Sequence, residues 1–202
     1  MIFNMIKFPS RSCVCIVAFL LTACSEKPKD TDALEPIIVQ NQNVPSNEDF
    51  DWKVYMEGQI ALLDSVKPKV HKTVTTDGAR ETKTLDNINW KKELQPFLDI
   101  DIVKPAWKDS YSVSTVADEK DKDAYTVIYQ TKDVSLNTKL MTIAFDHYGK
   151  PVEITIVNKT KNNLYASYQT LIYRPSKGYS INGSQDVNLG KKSNYSIEAK
   201  FE

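Results

Sequence analysis

The sequence is poor in the residues from which most catalytic and cofactor sites are built. Among 202 residues, three are cysteine, two are histidine and six are glycine. The glycines form no phosphate-binding loop, the histidines have no partners at metal-site spacing, and no serine lies in a Gly-x-Ser-x-Gly or Ser-x-x-Lys motif. We therefore predict a protein that is not an enzyme, with no catalytic residue, no metal site and no cofactor.

The chain also has no excess of charge of either sign. Lys and Arg total 26, and Asp and Glu total 26. Proteins that bind nucleic acids carry a clear excess of basic residues, because they must neutralise phosphates. We therefore expect no nucleic-acid partner.

The apolar run at residues 13–21 is too short to span a bilayer as a helix, but it has the length of the apolar core of a signal peptide. Lys7 and Arg11 precede this run and form a positive region, as in secretory signals. Small residues follow it in the sequence Leu21-Thr22-Ala23-Cys24. These features predict an N-terminal signal peptide that ends near Ala23.

The tetrapeptide Leu21-Thr22-Ala23-Cys24 resembles the lipobox of bacterial lipoproteins. This resemblance implies that residues 1–23 are removed and that Cys24 is acylated, so the mature protein is anchored to a membrane of the cell envelope. The next residue, Ser25, is not the aspartate that retains lipoproteins at the inner membrane in some lineages, which favours the outer membrane. The alternative is an ordinary cleaved secretory signal that leaves Cys24 as a free thiol.

Removal of residues 1–23 would also change what the mature chain can do. Cys13 and Cys15 would be lost, which leaves Cys24 as the sole cysteine and excludes a disulfide or a zinc–thiolate site in the folded domain. Two cations would be lost as well, so 24 Lys and Arg would face 26 Asp and Glu, a net charge of −2.

Residues 24–46 are polar and contain three prolines, which predicts a flexible tether with an end-to-end distance of about 25 to 30 Å. The tripeptide Ile37-Ile38-Val39 leaves an alternative open, in which it docks on the domain as an edge strand. Residues 47–202 have the size of a single domain with one hydrophobic core.

Helical periodicity dominates the first part of this domain. Ser46 and Asp49 form a loose capping box, and the helix that it predicts ends before Pro68. One face of this helix carries Trp52, Tyr55, Met56, Leu62, Leu63 and Val66. A second helix is predicted over residues 89–99, where Pro96 requires either a kink or two short helices.

Strand periodicity dominates the rest. A polar hairpin with an Asp77-Gly78 turn is predicted over residues 69–85. Seven further strands are predicted at residues 111–117, 124–132, 138–146, 151–158, 164–174, 179–187 and 194–201. Their short connections favour antiparallel neighbours. We therefore predict an α+β fold, with N-terminal helices packed on a strongly curved antiparallel β-meander of about seven to nine strands. In element order alone it is similar to lipoprotein carriers of the LolA and LolB type.

Aromatic residues are the strongest remaining indication of function. Tyr165 and Tyr168 are separated by an odd step on one predicted strand, so their rings point to opposite faces of the sheet. An apolar ligand pocket is then expected, lined by Trp52, Tyr55, Trp90, Trp107 and Tyr168. The alternative is that these rings fill an ordinary core.

Three functions follow from these patterns. The first is a non-enzymatic module that binds an apolar ligand or the acyl chains of another lipoprotein. The second is a tethered protein that contacts an envelope partner, or is a structural component of an outer-membrane assembly, through a sheet edge or loops. The third is an enzyme, which would need His71 or His147 close to a carboxylate or serine in a cleft, or a working pair of Asp99 and Asp101.

Overall fold

Asp51 begins the first helix of the computed structural model, which describes residues 50–187, 190 and 192–202. The Asp51 side chain accepts a hydrogen bond of 3.0 Å from the Val54 backbone N–H, and helix α1 spans Trp52–Val66. This corrects the predicted start at Ser46, because Phe50 and Asp51 are not helical. The predicted signal peptide, Cys24 and the predicted tether lie outside the described residues.

The buried face of α1 differs in part from the predicted one. Trp52, Met56, Ile60 and Leu63 are buried, at spacings of four, four and three residues. Leu62 and Val66 are 48% and 63% exposed, so their predicted place in the core is wrong. The face that packs is rotated towards Ile60, because the sheet lies on that side.

Pro96 divides the second predicted helix into two. Helix α2 spans Trp90–Glu93 and begins at Asn89, whose side chain accepts a hydrogen bond from the Lys92 backbone N–H. Helix α3 spans Gln95–Leu98 and has Pro96 in its first turn, where the missing N–H costs no hydrogen bond. Two 3-10 helices follow, at Asp101–Val103 and Pro105–Ser110.

Nine antiparallel strands form one sheet that is curled but not closed, which confirms the α+β class. The strands are β1 (Val70–Thr76), β2 (Ala79–Leu85), β3 (Tyr111–Ala117), β4 (Tyr125–Thr131), β5 (Thr138–Phe145), β6 (Pro151–Lys161), β7 (Tyr165–Arg174), β8 (Gly178–Val187) and β9 (Ser193–Phe201). Their order across the sheet is β2-β1-β9-β8-β7-β6-β5-β4-β3. Strands β3 to β9 are thus a continuous meander, and the edges of the sheet are β2 and β3.

The N-terminal hairpin joins the meander through its last strand. Asp77 and Gly78 have positive φ values of 48° and 91°, as a tight hairpin turn requires. Strand β1 pairs with β9 from Val70 opposite Phe201 to Thr76 opposite Tyr195. The strand that follows α1 and the last strand therefore lie side by side in one sheet.

The helices cover one face of the sheet, which we call the inner face. The Phe97 ring lies 5.9 Å from the Tyr173 ring and 6.0 Å from the Tyr179 ring, and Trp90 meets Phe201 edge-on at 5.2 Å. Alternate residues of the central strands fill the layer between the helices and the sheet. Among them are Val127, Met141, Ile143, Ile154, Ile156, Leu171 and Tyr173, all at most 1% exposed.

Candidate functional site

Two of the residues predicted to line a ligand pocket belong to the core instead. Trp52 is 4% exposed, and its indole Nε1–H donates a hydrogen bond of 2.8 Å to the Phe97 carbonyl. Trp90 is 2% exposed and packs on Phe201. A buried indole whose N–H is satisfied within the protein is a typical core residue.

Of the other three predicted residues, Tyr55 lies beside Trp52, with ring centres 5.9 Å apart. Tyr55 and Trp107 are half-buried at the periphery of the core. Tyr168 is 43% exposed on the opposite face of the sheet, which we call the outer face, with the Lys159 Nζ 5.5 Å from the centre of its ring. Tyr165 and Tyr168 do point to opposite faces, but the five predicted residues do not surround one space.

A cavity of about 60 Å³ lies where α1, the hairpin and α2 meet. Its lining residues are Asp64, Lys67, Pro68, Asp86, Asn87, Ile88 and Trp90. Pockets that enclose small molecules measure about 300 to 1,000 Å³ and are mainly apolar. This cavity is small and mostly polar, so it suits a few water molecules and not an apolar ligand.

A half-buried polar cluster connects α2 to the sheet. The Glu93 carboxylate lies 2.5 Å from the Lys72 Nζ of β1 and accepts a hydrogen bond from the Tyr179 hydroxyl of β8. Burial raises the pKa of Tyr179 above its ordinary value, and the Glu93 carboxylate raises it further. The cluster anchors a four-residue helix that has few backbone hydrogen bonds of its own.

The proposed carboxylate pair is divided between two environments. The Asp99 carboxylate accepts a hydrogen bond of 2.7 Å from the Gln95 Nε2 on the surface. Asp101 is buried, where its Oδ2 accepts from the backbone N–H groups of Asn137 and Thr138 and its Oδ1 lies 3.0 Å from the Lys104 Nζ. The two carboxylates are thus held by different sets of partners.

Both histidines lie at exposed positions beside a carboxylate. The His71 Nε2 is 3.0 Å from Glu202 and its Nδ1 is 3.1 Å from the Thr84 hydroxyl, on the outer face of the hairpin. The His147 Nδ1 is 3.5 Å from Asp121 near two turns. Within the described ranges, no group of three or more His, Cys, Asp or Glu side chains is placed to hold a metal ion.

The feature that sequence reasoning did not single out is the contrast between the two edge strands. Strand β2 carries Arg80, Glu81 and Lys83, and charged side chains discourage another strand from pairing with an edge. Strand β3 has the sequence Tyr-Ser-Val-Ser-Thr-Val-Ala, without a charge or a proline. Its composition is visible in the sequence, but its position at an edge is known only from the order of the strands.

The backbone of β3 presents alternate residues to the open edge. Hydrogen bonds from Lys132 N to Ser110 O (2.8 Å) and from Asp118 N to Ala124 O (2.9 Å) show that even-numbered residues bond to β4. Odd-numbered residues therefore direct their N–H and C=O groups away from β4. Within the described part of the chain no strand lies beyond β3, and we call this row of groups at Tyr111, Val113, Thr115 and Ala117 the β3 edge.

Comparisons with known proteins give no relative from which a site could be transferred. No family model, no curated protein and no solved structure matches the chain. Among the described residues, no helix is long and apolar enough to cross a membrane.

Proposed function

We propose that this chain is a lipid-anchored protein of the bacterial cell envelope that binds another protein through the β3 edge. Acylated Cys24 would attach it to the outer membrane, and residues 24–46 would hold the domain away from the lipid surface. One observation carries the proposal: β3 is an edge strand of seven residues without a charge or a proline, whereas β2, at the other edge, carries three charges. A long uncharged edge is a template for pairing with another chain.

Binding at this edge would add a strand to the sheet. The outward N–H and C=O groups of Val113 and Thr115 would bond to an extended segment of the partner, as in other cases of β-strand addition. The Val113 side chain is 39% exposed and would contact alternate side chains of that segment. Main-chain bonding supplies affinity without a preformed pocket, which agrees with the filled core.

The other candidate, a carrier of an apolar ligand or acyl chains in a strongly curved half-barrel of the LolA and LolB type, has less support. It needs space between the helices and the inner face. In the part of the chain that the structure describes, that layer is filled by Trp52, Phe97, Tyr173 and the residues around them. We propose no catalytic activity, because the carboxylates and histidines described above are held in structural contacts or lie on open surface.

The first experiment tests the anchor. Intact-mass analysis of the membrane-extracted protein, before and after removal of lipid, should show a chain that begins at Cys24 and carries acyl groups. A mass equal to the unmodified chain from residue 24 would contradict the anchor. An additional small molecule in the mass spectrum would instead favour the carrier function.

The second experiment tests the β3 edge with a matched pair of valine substitutions. Val113 on β3 and Val152 on β6 are both strand residues and are 39% and 44% exposed, but β6 lies between two other strands. We expect Val113→Lys to abolish crosslinking to a stoichiometric envelope partner, because a lysine on an edge strand opposes further pairing. Val152→Lys should leave it intact. Equal crosslinking by both variants, or purification of the unmodified protein as a monomer without a partner, would contradict the proposal.

A further inference from the structure

We propose that the inner face of the sheet carries a binding site for a neutral carbohydrate on strands β6 to β9. The site lies beyond the ends of these strands on which the helices pack. It contains no residue of the β3 edge, so it is a second binding function, separate from the one proposed above.

Polar residues replace apolar ones partway along the inner face of these four strands. Ile156, Leu171, Ile181 and Ile197 face one another across β6 to β9 and form an apolar row. The next two rows along the strands are polar, and we call their eight residues the polar patch. Its first row is Asn158, Gln169, Gly183 and Tyr195, and its second row is Thr160, Ser167, Gln185 and Ser193. Three strand spacings make the patch about 14 Å wide.

The polar patch is open to a ligand. The Phe97 ring packs on Tyr179, which lies four residues, or about 13 Å, from Gly183 along β8. Gln185 is exposed, and the other seven residues of the patch are half-buried. On the β5 side Thr138 pairs with Asn158 and accepts a hydrogen bond from the Asp101 backbone N–H. The first 3-10 helix therefore borders the patch on that side.

The Tyr195 ring crosses the patch because residue 183 is glycine. A Cβ atom at Gly183 would lie only 2.5 Å from the Cζ and Oη atoms of Tyr195. In its absence the ring passes over β8, and the Tyr195 hydroxyl accepts a hydrogen bond of 2.5 Å from the Gln169 Nε2 on β7. The ring offers apolar surface beside polar groups, which suits the C–H groups and hydroxyls of a sugar.

Two side chains of the patch have unmet hydrogen-bonding capacity. The Asn158 Oδ1 is buried and has no hydrogen-bond partner among the described residues. Within the same part of the chain, the Tyr195 hydroxyl accepts from Gln169, which leaves its own proton to be donated. A half turn about the Cβ–Cγ bond lets the Asn158 amide present either its oxygen or its nitrogen. Because an unmet buried group costs free energy, a ligand hydroxyl that donates and accepts would relieve that cost.

The charge and backbone pairing of the patch decide the class of ligand. No residue of the patch is charged, whereas Lys159, Lys161 and Asp186 lie on the outer face of the same strands. An ionic ligand would therefore find no opposite charge to compensate its loss of water. Strands β6 to β9 each pair on both sides, so an extended peptide would find no open strand edge. A neutral ligand rich in hydroxyls fits these conditions, and carbohydrates are that class.

The test is a nuclear magnetic resonance titration of the full-length protein in micelles of a detergent without a sugar headgroup. The probes are maltohexaose, cellohexaose and N-acetylchitohexaose. At least one of them should produce saturable shifts in the side-chain amide signals of Asn158 and Gln169. The amide signal of Asn182, on the outer face of β8, should stay unchanged.

A pair of tyrosine variants tests the contact. Tyr195→Phe keeps the ring and removes the hydroxyl, and it should weaken binding of the sugar about tenfold, the effect of one lost hydrogen bond. Tyr168→Phe is the matched control, because Tyr168 lies on the outer face of β7 and should not affect binding. Equal weakening by both variants would overturn the proposal.

A pair of asparagine variants separates a binding role from a structural one. Asn158→Leu replaces an unmet amide with an apolar group of similar size, so it should raise the denaturant midpoint of unfolding and weaken binding about tenfold or more. Asn182→Leu, on the outer face, should leave binding unchanged. A lower midpoint for Asn158→Leu together with unchanged binding would show that Asn158 serves the fold alone, which overturns the proposal.

The titration contains no protein partner, so its result is independent of the crosslinking test. Val113→Lys should bind the sugar as tightly as the unmodified protein does. Absence of a saturable shift at both Asn158 and Gln169 with all three sugars would overturn the carbohydrate site and leave the β3 edge unaffected.

Discussion

Asp101 ties the first 3-10 helix to the start of β5. Asp101 is 7% exposed, and its carboxylate accepts hydrogen bonds from the backbone N–H groups of Asn137 and Thr138. Its own backbone N–H donates a hydrogen bond of 3.1 Å to the Thr138 hydroxyl. Burial by itself would raise the pKa of Asp101, but the Lys104 ammonium and the two backbone N–H groups hold that pKa below its ordinary value. The charged carboxylate is therefore the form that the fold requires.

We expect Asp101→Asn to lower the free energy of unfolding at pH 7 by about 2 kcal/mol, the size of hydrogen bonds to a charged group. The amide replaces one acceptor oxygen with a donor that faces backbone N–H groups. Because the folded-state pKa is lowered, the contribution of Asp101 is complete above the ordinary aspartate pKa of about 3.9 and is lost as the pH falls below it. Denaturant unfolding at pH 7 and pH 3 should show a larger difference between variant and unmodified protein at pH 7 than at pH 3.

An exposed aspartate with similar bonds supplies the control for this prediction. Asp118 accepts backbone hydrogen bonds from Lys120 and Asp121, and these bonds lower its pKa. Its turn is open to water, which replaces lost bonds, so Asp118→Asn should destabilise the protein much less than Asp101→Asn. A difference at pH 3 as large as that at pH 7 would show that Asp101 acts through packing and not through its charge.

At the scale of elements, the alternation along β3 gives neighbouring residues opposite tolerance for proline. The Ser114 N–H bonds to β4, and Ser114→Pro should cost about 1 to 3 kcal/mol because it removes a ladder hydrogen bond and leaves the acceptor on β4 unsatisfied. The Thr115 N–H points to the open edge, where proline is tolerated in strands. We expect Thr115→Pro to lower the free energy of unfolding by less than half as much in the same denaturant titration. Equal losses would show that the assigned alternation is wrong.

The strands could be predicted from sequence more accurately than the helices, and the reason is physical. In β5, every second residue is buried, namely Met141, Ile143 and Phe145. Alternate side chains of a strand point to opposite faces of the sheet, so a sheet with one covered face produces this apolar period of two in the sequence. Strand bounds were therefore predicted to within a few residues. The face of α1 was predicted less well, because Leu62 and Val66 are apolar and within one turn of the buried residues. Only the position of the sheet decides which of these neighbours is covered.

At the scale of the whole molecule, pairing between distant elements could not be predicted. Nothing in Val70–Thr76 indicates that it pairs with Ser193–Phe201, because any amphipathic strand can pair with any other. The same limit applied to the candidate site. Trp52 and Trp90 were predicted as ligand contacts from residue type, and only the folded arrangement shows that Phe97 and Phe201 cover them. The sequence shows that β3 carries no charge, but only the order of all nine strands shows that β3 lies at an edge of the sheet.

Buried and half-buried tyrosines predict how the stability of the domain depends on alkaline pH. Four of them, Tyr55, Tyr111, Tyr173 and Tyr179, lie on α1, β3, β7 and β8. The folded domain therefore keeps their hydroxyl groups protonated to a higher pH than the unfolded chain does. Burial raises the pKa of Tyr55 to about 12, and burial together with the Asp101 charge raises the pKa of Tyr111 to about 12. Burial also raises the pKa of Tyr173 and of Tyr179.

In the unfolded chain tyrosine ionises near pH 10. Above that pH the unfolded chain releases protons that the folded chain retains, so the free energy of unfolding must fall as the pH rises from about 10 to 12. Tyr55→Phe removes one of the groups that must ionise, and the decrease between pH 9 and pH 11 should be smaller for this variant than for the unmodified protein. Denaturant titrations at pH 9 and pH 11 measure this decrease. The difference between the two proteins at pH 9 gives the stability that Tyr55→Phe loses through packing alone, and it is subtracted. Parallel decreases in the two proteins would show that Tyr55 ionises equally in both states, and lysine deprotonation would then account for the alkaline loss.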